Sequence, residues 1–102
     1  MRFRAELAPG VLRDLQRNYS PEDVHDFRQR LKEVLADPIN GSEMHFDPDF
    51  SGFVHRRFSF GVNIEKLAIF RLVPAGQNDV LLRVVRCQLS KPPRPRRLGD
   101  AL

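Results

Sequence analysis

One histidine and three arginines stand in runs of residues that are typical of β-strands: His55, Arg57, Arg71 and Arg83. A histidine titrates near neutral pH, so it can serve as a general base or a general acid. A guanidinium group donates paired N–H groups to phosphate oxygens. Cleavage of RNA through its own 2′-hydroxyl needs both functions, because a base must take the hydroxyl proton and fixed positive charge must stabilise the pentavalent phosphate. These four residues are the candidates for chemistry in this chain.

The same residues also have a purely structural interpretation. Strand arginines often cover a sheet face with their aliphatic stems, and a strand histidine can be a simple cross-strand partner. The chain has 14 arginines and three lysines, a ratio that suits bidentate recognition of phosphate or carboxylate. A GC-rich genome would produce that ratio without any functional cause. The sequence leaves both interpretations open.

Three consecutive strands must position the candidates, and the sequence predicts them over residues 53–60, 64–73 and 80–87. β-Branched and aromatic residues cluster in these runs, and turn-forming residues separate them. Alternation of side chains predicts that one face of the sheet is wholly apolar. The other face, called the arginine face below, carries His55, Arg57, Arg71 and Arg83. Four apolar residues are expected to be exposed among them: Leu67, Ile69, Leu81 and Val85.

The N-terminal half is expected to form the helices that cover the apolar face of the sheet. The expected elements are a strand over residues 1–7, a short helix over 11–17, a longer helix over 21–36 and a short edge strand over 43–46. Ser20 is a suitable cap for the longer helix, Pro21 suits its first position, and Asp37 with Pro38 ends it. A helix hairpin on one side of a mostly antiparallel sheet is a two-layer α+β domain.

Length and composition set the outer limits. The 102 residues suffice for one domain, expected over residues 1–88, followed by a basic Pro/Arg-rich tail over 89–102 that is expected to be flexible. No apolar run approaches the roughly 18 residues of a membrane helix, so we expect a cytoplasmic protein with no membrane partner. The single cysteine, Cys87, excludes an internal disulfide and is expected to be a small buried side chain.

The net charge of +4 is unevenly distributed. Residues 1–51 carry seven basic and ten acidic side chains, whereas residues 52–102 carry ten basic and three acidic ones. The strands and the tail therefore form the cationic part of the molecule. His45, Asp47 and Asp49 could ligate a metal, but Asp and Pro are also the residues that form turns. We expect neither a metal nor a cofactor.

Four phrases of the sequence, in this order, resemble the RelE/ParE toxin superfamily of bacterial type II toxin–antitoxin systems over about residues 1–88. They are residues 8–15 after the first strand, Asp37 and Pro38 after the second helix, residues 56–61, and residues 66–71. The resemblance implies a small basic toxin whose sheet is covered by an antitoxin protein. RelE-like members cut mRNA in the ribosomal A site without a metal, and ParE-like members inhibit DNA gyrase.

The resemblance also implies roles for individual residues. Arg57, with its neighbour Arg56, matches a basic position of the family, and Arg83 or Arg86 matches the catalytic arginine. A second basic position of the family falls on Lys66 or on Leu67, depending on the register, and Leu67 would abolish it. Residues 88–91 stand where many RNA-cutting members have an aromatic residue or a histidine. The expected catalytic residues are His55, Arg57 and Arg83. The expected nucleic-acid-binding residues are Arg56, Lys66, Arg71, Arg86 and Lys91.

The first expectation is therefore a RelE-like, metal-independent endoribonuclease that acts on ribosome-bound mRNA. The alternatives are a ParE-like non-catalytic inhibitor of DNA gyrase, or a non-toxic member of the fold that binds RNA or protein. The antitoxin is expected to cover the apolar residues of the arginine face, although a homodimer would cover the same surface.

Overall fold

A computed structural model describes residues 2–47 and 52–90 of the chain. Its elements are, in order, β1 (Arg2–Leu7), α1 (Val11–Asn18), α2 (Pro21–Ala36), β2 (Glu43–His45), β3 (His55–Phe60), β4 (Lys66–Pro74) and β5 (Asp79–Leu89). The five strands form one sheet in the order β1-β5-β4-β3-β2. β1 is parallel to β5, and the other neighbours are antiparallel. The predicted α+β architecture is confirmed. No helix in the described part of the chain is long and apolar enough to cross a membrane.

The longer helix, α2, spans the predicted residues because both of its ends are encoded locally. The Ser20 hydroxyl accepts a hydrogen bond of 3.1 Å from the backbone N–H of Asp23, and Pro21 occupies the first turn. Pro38 follows the last helical residues and cannot continue them. This helix buries Phe27 and Val34 against the sheet.

The core lies between the two helices and one face of the sheet, as the alternation predicted. Its centre is aromatic: the ring centroid of Phe27 lies 5.2 Å from that of Phe60 and 5.9 Å from that of Phe58. The buried members of the core are Val11, Leu15, Phe27, Val34, Phe58, Phe60, Ala68, Phe70, Leu82, Val84 and Cys87.

A β-bulge between β4 and β5 decides which residues of β5 reach the arginine face. Phe70 pairs with Val84, but Ile69 pairs with Arg86, so Val85 is the extra residue. The bulge turns Arg86 to the arginine face and Cys87 to the core, opposite Ala68. Cys87 is buried as expected, and this burial raises the pKa of its thiol to about 12.

The turn between β3 and β4 is tied to the start of α2 by two carboxylates. Asp26 accepts the N–H of Gly61 at 2.7 Å, and Asp23 accepts the N–H of Val62 at 3.0 Å. Asp23 also accepts a 2.6 Å hydrogen bond from the Lys66 ammonium, and both side chains are buried. That bond lowers the pKa of Asp23. Gly61 has a φ of +115°, and a side chain there would collide with the Ile64 carbonyl oxygen at 2.6 Å.

Candidate phosphate-binding site

The strand register brings four arginines together on the arginine face. Arg57 of β3 and Arg86 of β5 flank Ile69 of β4 in one cross-strand row. In the next row Arg71 of β4 lies directly opposite Arg83 of β5. Three of these residues were expected on one face from alternation, whereas Arg86 reaches it through the bulge. Four guanidinium groups on three neighbouring strands can bind several oxygens of a phosphate chain.

Three of the four arginines have carboxylate partners within the chain. Arg57 lies 3.6 Å from Glu43 and Arg83 lies 3.5 Å from Glu6, in pairs whose side chains are between 35% and 77% exposed. Exposed pairs of this kind contribute only about 0–1 kcal/mol, so a phosphate could displace these carboxylates. The pair between Arg86 and Asp47 is tighter, at 2.9 Å. No pattern in the sequence indicated these pairings.

Arg71 contacts an aromatic ring instead. Its guanidinium carbon lies 4.2 Å from the ring centroid of Phe53, a cation–π contact. Phe53 belongs to the connection between β2 and β3, just before β3 begins, and it is 61% exposed. The prediction that residue 53 starts the strand was wrong by two residues. Outside the strand, Phe53 turns over the arginine face and makes an edge-to-face contact with His55 as well.

His55, the expected acid or base, is only 4% exposed. It pairs across the strands with His45, and its Nδ1 lies 3.3 Å from the carbonyl oxygen of Phe53. The ring is therefore not presented at the surface. This placement matches the structural interpretation of His55 as a cross-strand partner.

His45 is the second buried histidine of the site and pairs with His55. From the sequence it was expected in the short edge strand over residues 43–46 and was a possible metal ligand. It is 8% exposed, and its Nε2 lies 3.7 Å from a carboxylate oxygen of Asp47. Burial, together with the positive charge of Arg57, lowers the pKa of His45. Its imidazole is therefore neutral at pH 7. Side chains two residues apart in a strand share a face, so alternation along β2 places His45 on the same face as Glu43. Glu43 lies directly opposite Arg57, which brings His45 close to that arginine.

Two residues that were expected to bind nucleic acid lie elsewhere. Arg56 pairs in register with the core residue Phe70, and its guanidinium donates to the carbonyl oxygens of Ile39 and Ser42 at 2.9 and 3.1 Å. It fixes the turn between α2 and β2. Lys66 is 7% exposed and engaged with Asp23, so it is not available at the arginine face.

Other expectations concern residues of the tail and of the β2–β3 connection. Lys91 and Asp49 lie outside the described residues, as does the predicted tail from residue 91 onward. Leu89, the first residue of the predicted tail, is the last residue of β5. Within residues 2–47 and 52–90, no group of three or more histidine, cysteine or acidic side chains has a geometry that could hold a metal.

The expectation that apolar residues are exposed on the arginine face was wrong for two of its four members. Leu67 is 8% exposed and Ile69 is fully buried. Ile69 sits in register between Arg57 and Arg86, whose aliphatic stems can cover it. Leu81 and Val85 are half-buried. The arginine face is therefore a cationic surface over a covered apolar layer.

Comparison with known proteins does not assign the chain to a family. No family model, no curated protein and no solved structure matches it.

Proposed function

We propose that this protein is the toxin of a type II toxin–antitoxin system, a RelE-like, metal-independent endoribonuclease that acts on ribosome-bound mRNA in the cytoplasm. The observation that carries the proposal is the direct pairing of Arg71 with Arg83, beside the row that holds Arg57 and Arg86. Like charges opposite each other on neighbouring strands are destabilising. A phosphate chain bound across these rows would remove that repulsion.

In this proposal Arg57 and Arg83 stabilise the charge that develops on the phosphate during cleavage, and Arg71 and Arg86 contact the neighbouring phosphates. His55 would transfer the proton of the 2′-hydroxyl. Because His55 is only 4% exposed, its imidazole can reach that hydroxyl only after the side chains around it have moved. The catalytic step therefore requires a rearrangement that exposes His55, whereas phosphate binding alone requires none.

The partner of the toxin would be an antitoxin with an acidic segment. Three arginines of this face already form ion pairs with carboxylates of the chain itself, those of Glu6, Glu43 and Asp47. Carboxylates of an antitoxin could take their places in the same geometry, which would block the face against RNA. A second copy of the chain is the competing occupant.

The burial of His55 favours a second candidate function. A ParE-like inhibitor of DNA gyrase, or a non-toxic member of the fold that binds RNA or protein, needs the arginines for contact and does not need an accessible base. The described position of His55 satisfies that function without any rearrangement.

Expression of the gene without its neighbours separates these functions. We expect growth arrest, and we expect Arg57→Ala and Arg83→Ala to relieve it. Arg30→Ala is the matched control, because Arg30 is also an exposed arginine paired with a carboxylate, but it lies on α2. Full toxicity of both face variants would contradict the proposal. Inhibition of DNA supercoiling by the purified protein would support the gyrase alternative, and harmless expression would support the non-toxic one.

A further inference from the structure

An exposed aromatic ring stands next to the arginine pair and has no role in the proposed chemistry. Phe53 is 61% exposed, although burial of a phenylalanine is strongly favourable. The Arg71 guanidinium lies 4.2 Å from its ring centroid and so covers one face of the ring. Much of the exposed area of Phe53 must therefore belong to its other face and its edge.

A flat aromatic face beside guanidinium groups is the arrangement that proteins use to bind unpaired bases. Successive bases of a single strand stack on aromatic side chains while arginines hold the backbone. Arg71 polarises the Phe53 ring from behind, and Arg83 lies opposite Arg71 on a strand about 4.8 Å away. If a base stacks on the Phe53 ring, the phosphate of the same nucleotide lies within reach of Arg71 and Arg83.

We propose that Phe53 is a nucleobase-stacking site, which takes an unpaired base of a single-stranded RNA while Arg71 and Arg83 hold the adjacent phosphate. The inference rests on the proposed action on RNA and adds to it a base-binding subsite, which requires that the RNA is unpaired at this position. Base-paired RNA would present its phosphates but could not place a base on the ring.

Phe53 also has a simpler role as a cover for His55, with which it makes an edge-to-face ring contact. The two roles predict different effects of Phe53→Leu. Leucine keeps an apolar cover of similar length but removes the aromatic face. Because Phe53 is mostly exposed, the variant should keep the wild-type fold, which circular dichroism and the unfolding temperature would verify.

The experiment measures the affinity of the full-length protein for two labelled ligands by fluorescence anisotropy. One ligand is a short single-stranded RNA, and the other has the same phosphates but abasic sugars. Both carry 2′-O-methyl groups, so that cleavage cannot remove the ligand. The variants are Phe53→Leu and the control Ile64→Ala, which removes apolar surface of nearly the same exposure, 62%, from the β3–β4 turn.

We expect the wild type and Ile64→Ala to bind the base-bearing RNA at least about fivefold more tightly than the abasic ligand, the lower end for one stacked base. Phe53→Leu should lose this difference and keep the wild-type affinity for the abasic ligand. The inference is overturned if the wild type does not distinguish the ligands, or if Phe53→Leu retains the preference. Equal weakening toward both ligands in that variant would also overturn it. A wild type that binds neither ligand would overturn the inference as well, whereas the proposed function is tested separately by cleavage of ribosome-bound mRNA.

Discussion

Arg71 and Arg83 lie directly opposite each other on the antiparallel strands β4 and β5. Each has a different neighbour, since Arg83 lies 3.5 Å from Glu6 and Arg71 packs against Phe53. Only one of the two positive charges therefore gains a carboxylate from these contacts. The pair is a local conflict in an otherwise consistent sheet, and such conflicts are expected at functional sites.

An anion that bridges this pair should stabilise the fold. At about ten times its Kd, a polyphosphate should add about 1.4 kcal/mol, which raises the unfolding temperature by roughly 6 °C or more. Sodium chloride at the same ionic strength should not. Arg83→Gln should lose most of the increase, whereas Arg30→Gln on α2 should keep it. Thermal unfolding checks this, and equal increases in both variants would contradict a specific site.

The buried pair of Asp23 and Lys66 should be a major determinant of stability. Asp23→Asn keeps an acceptor for the N–H of Val62 but leaves the Lys66 ammonium without its charged partner, at a cost of about 3 kcal/mol. Replacing both residues together, as Asp23→Asn with Lys66→Met, should restore much of the loss. Chemical denaturation would measure both effects, and a double variant no more stable than Asp23→Asn would contradict this account.

The same pair makes stability depend on pH in the acid range. The folded protein holds the pKa of Asp23 below its ordinary value of 3.8, so the unfolded chain binds the proton more readily. The contribution of the pair is present above pH 3.8 and is lost as the pH falls through the lowered pKa. Unfolding free energies of the wild type and Asp23→Asn should therefore converge in acid, and a constant difference would be the contrary result.

His45 should add a second pH dependence, nearer to neutrality. Burial lowers the pKa of His45 from 6.5, Arg57 and Arg86 lower it further, and Asp47 opposes them. The unfolded chain therefore binds more protons just below pH 6.5, and stability falls as the pH is lowered through that value. In His45→Gln this part of the decline should be missing. Denaturation at pH values above and below 6.5 checks it, and identical slopes in both proteins would be inconsistent with a buried neutral imidazole.

Val85 is the extra residue of the bulge, so deleting it should leave the rest of the register intact. Val84 would then precede Arg86 directly, and simple alternation would keep Arg86 on the arginine face and Cys87 in the core. We therefore expect this variant to unfold cooperatively, as the matched control with Gln77 deleted from the β4–β5 turn should. Thermal unfolding checks this, and loss of cooperative unfolding in the Val85 deletion alone would contradict the register.

The sequence predicted the architecture well because the relevant signals are local. The limits of α2 follow from Ser20, Pro21 and Pro38, and the core face of β3 and β4 follows from strict alternation. Alternation also predicts the position of Lys66, for which the family resemblance had implied a role in nucleic-acid binding. Lys66 has the same parity as Ala68 and Phe70, so period two already places it on the core side.

The site could be predicted only in part because its decisive contacts are distant in sequence. The bulge has no signature in a run of apolar residues, so the position of Arg86 was not determined. Glu6 lies opposite Arg83 because β1 pairs with β5. Asp47 follows β2 at the edge of the sheet and reaches Arg86 of β5 across β3 and β4, which no pattern in the sequence indicates. The strand pattern gave no measure of how deeply His55 is buried, and β-propensity predicted that Phe53 would lie in the strand, whereas β3 begins at His55.

The most direct test of the central proposal is primer extension on ribosome-bound mRNA in a purified translation reaction. A chelator is present at a level that leaves the ribosomes intact but removes free transition metals. We predict new 5′ ends within the translated message when wild-type protein is added, and their loss with Arg57→Ala or Arg83→Ala but not with Arg30→Ala. An uncut message with the wild-type protein, or undiminished cutting by both face variants, would contradict the account.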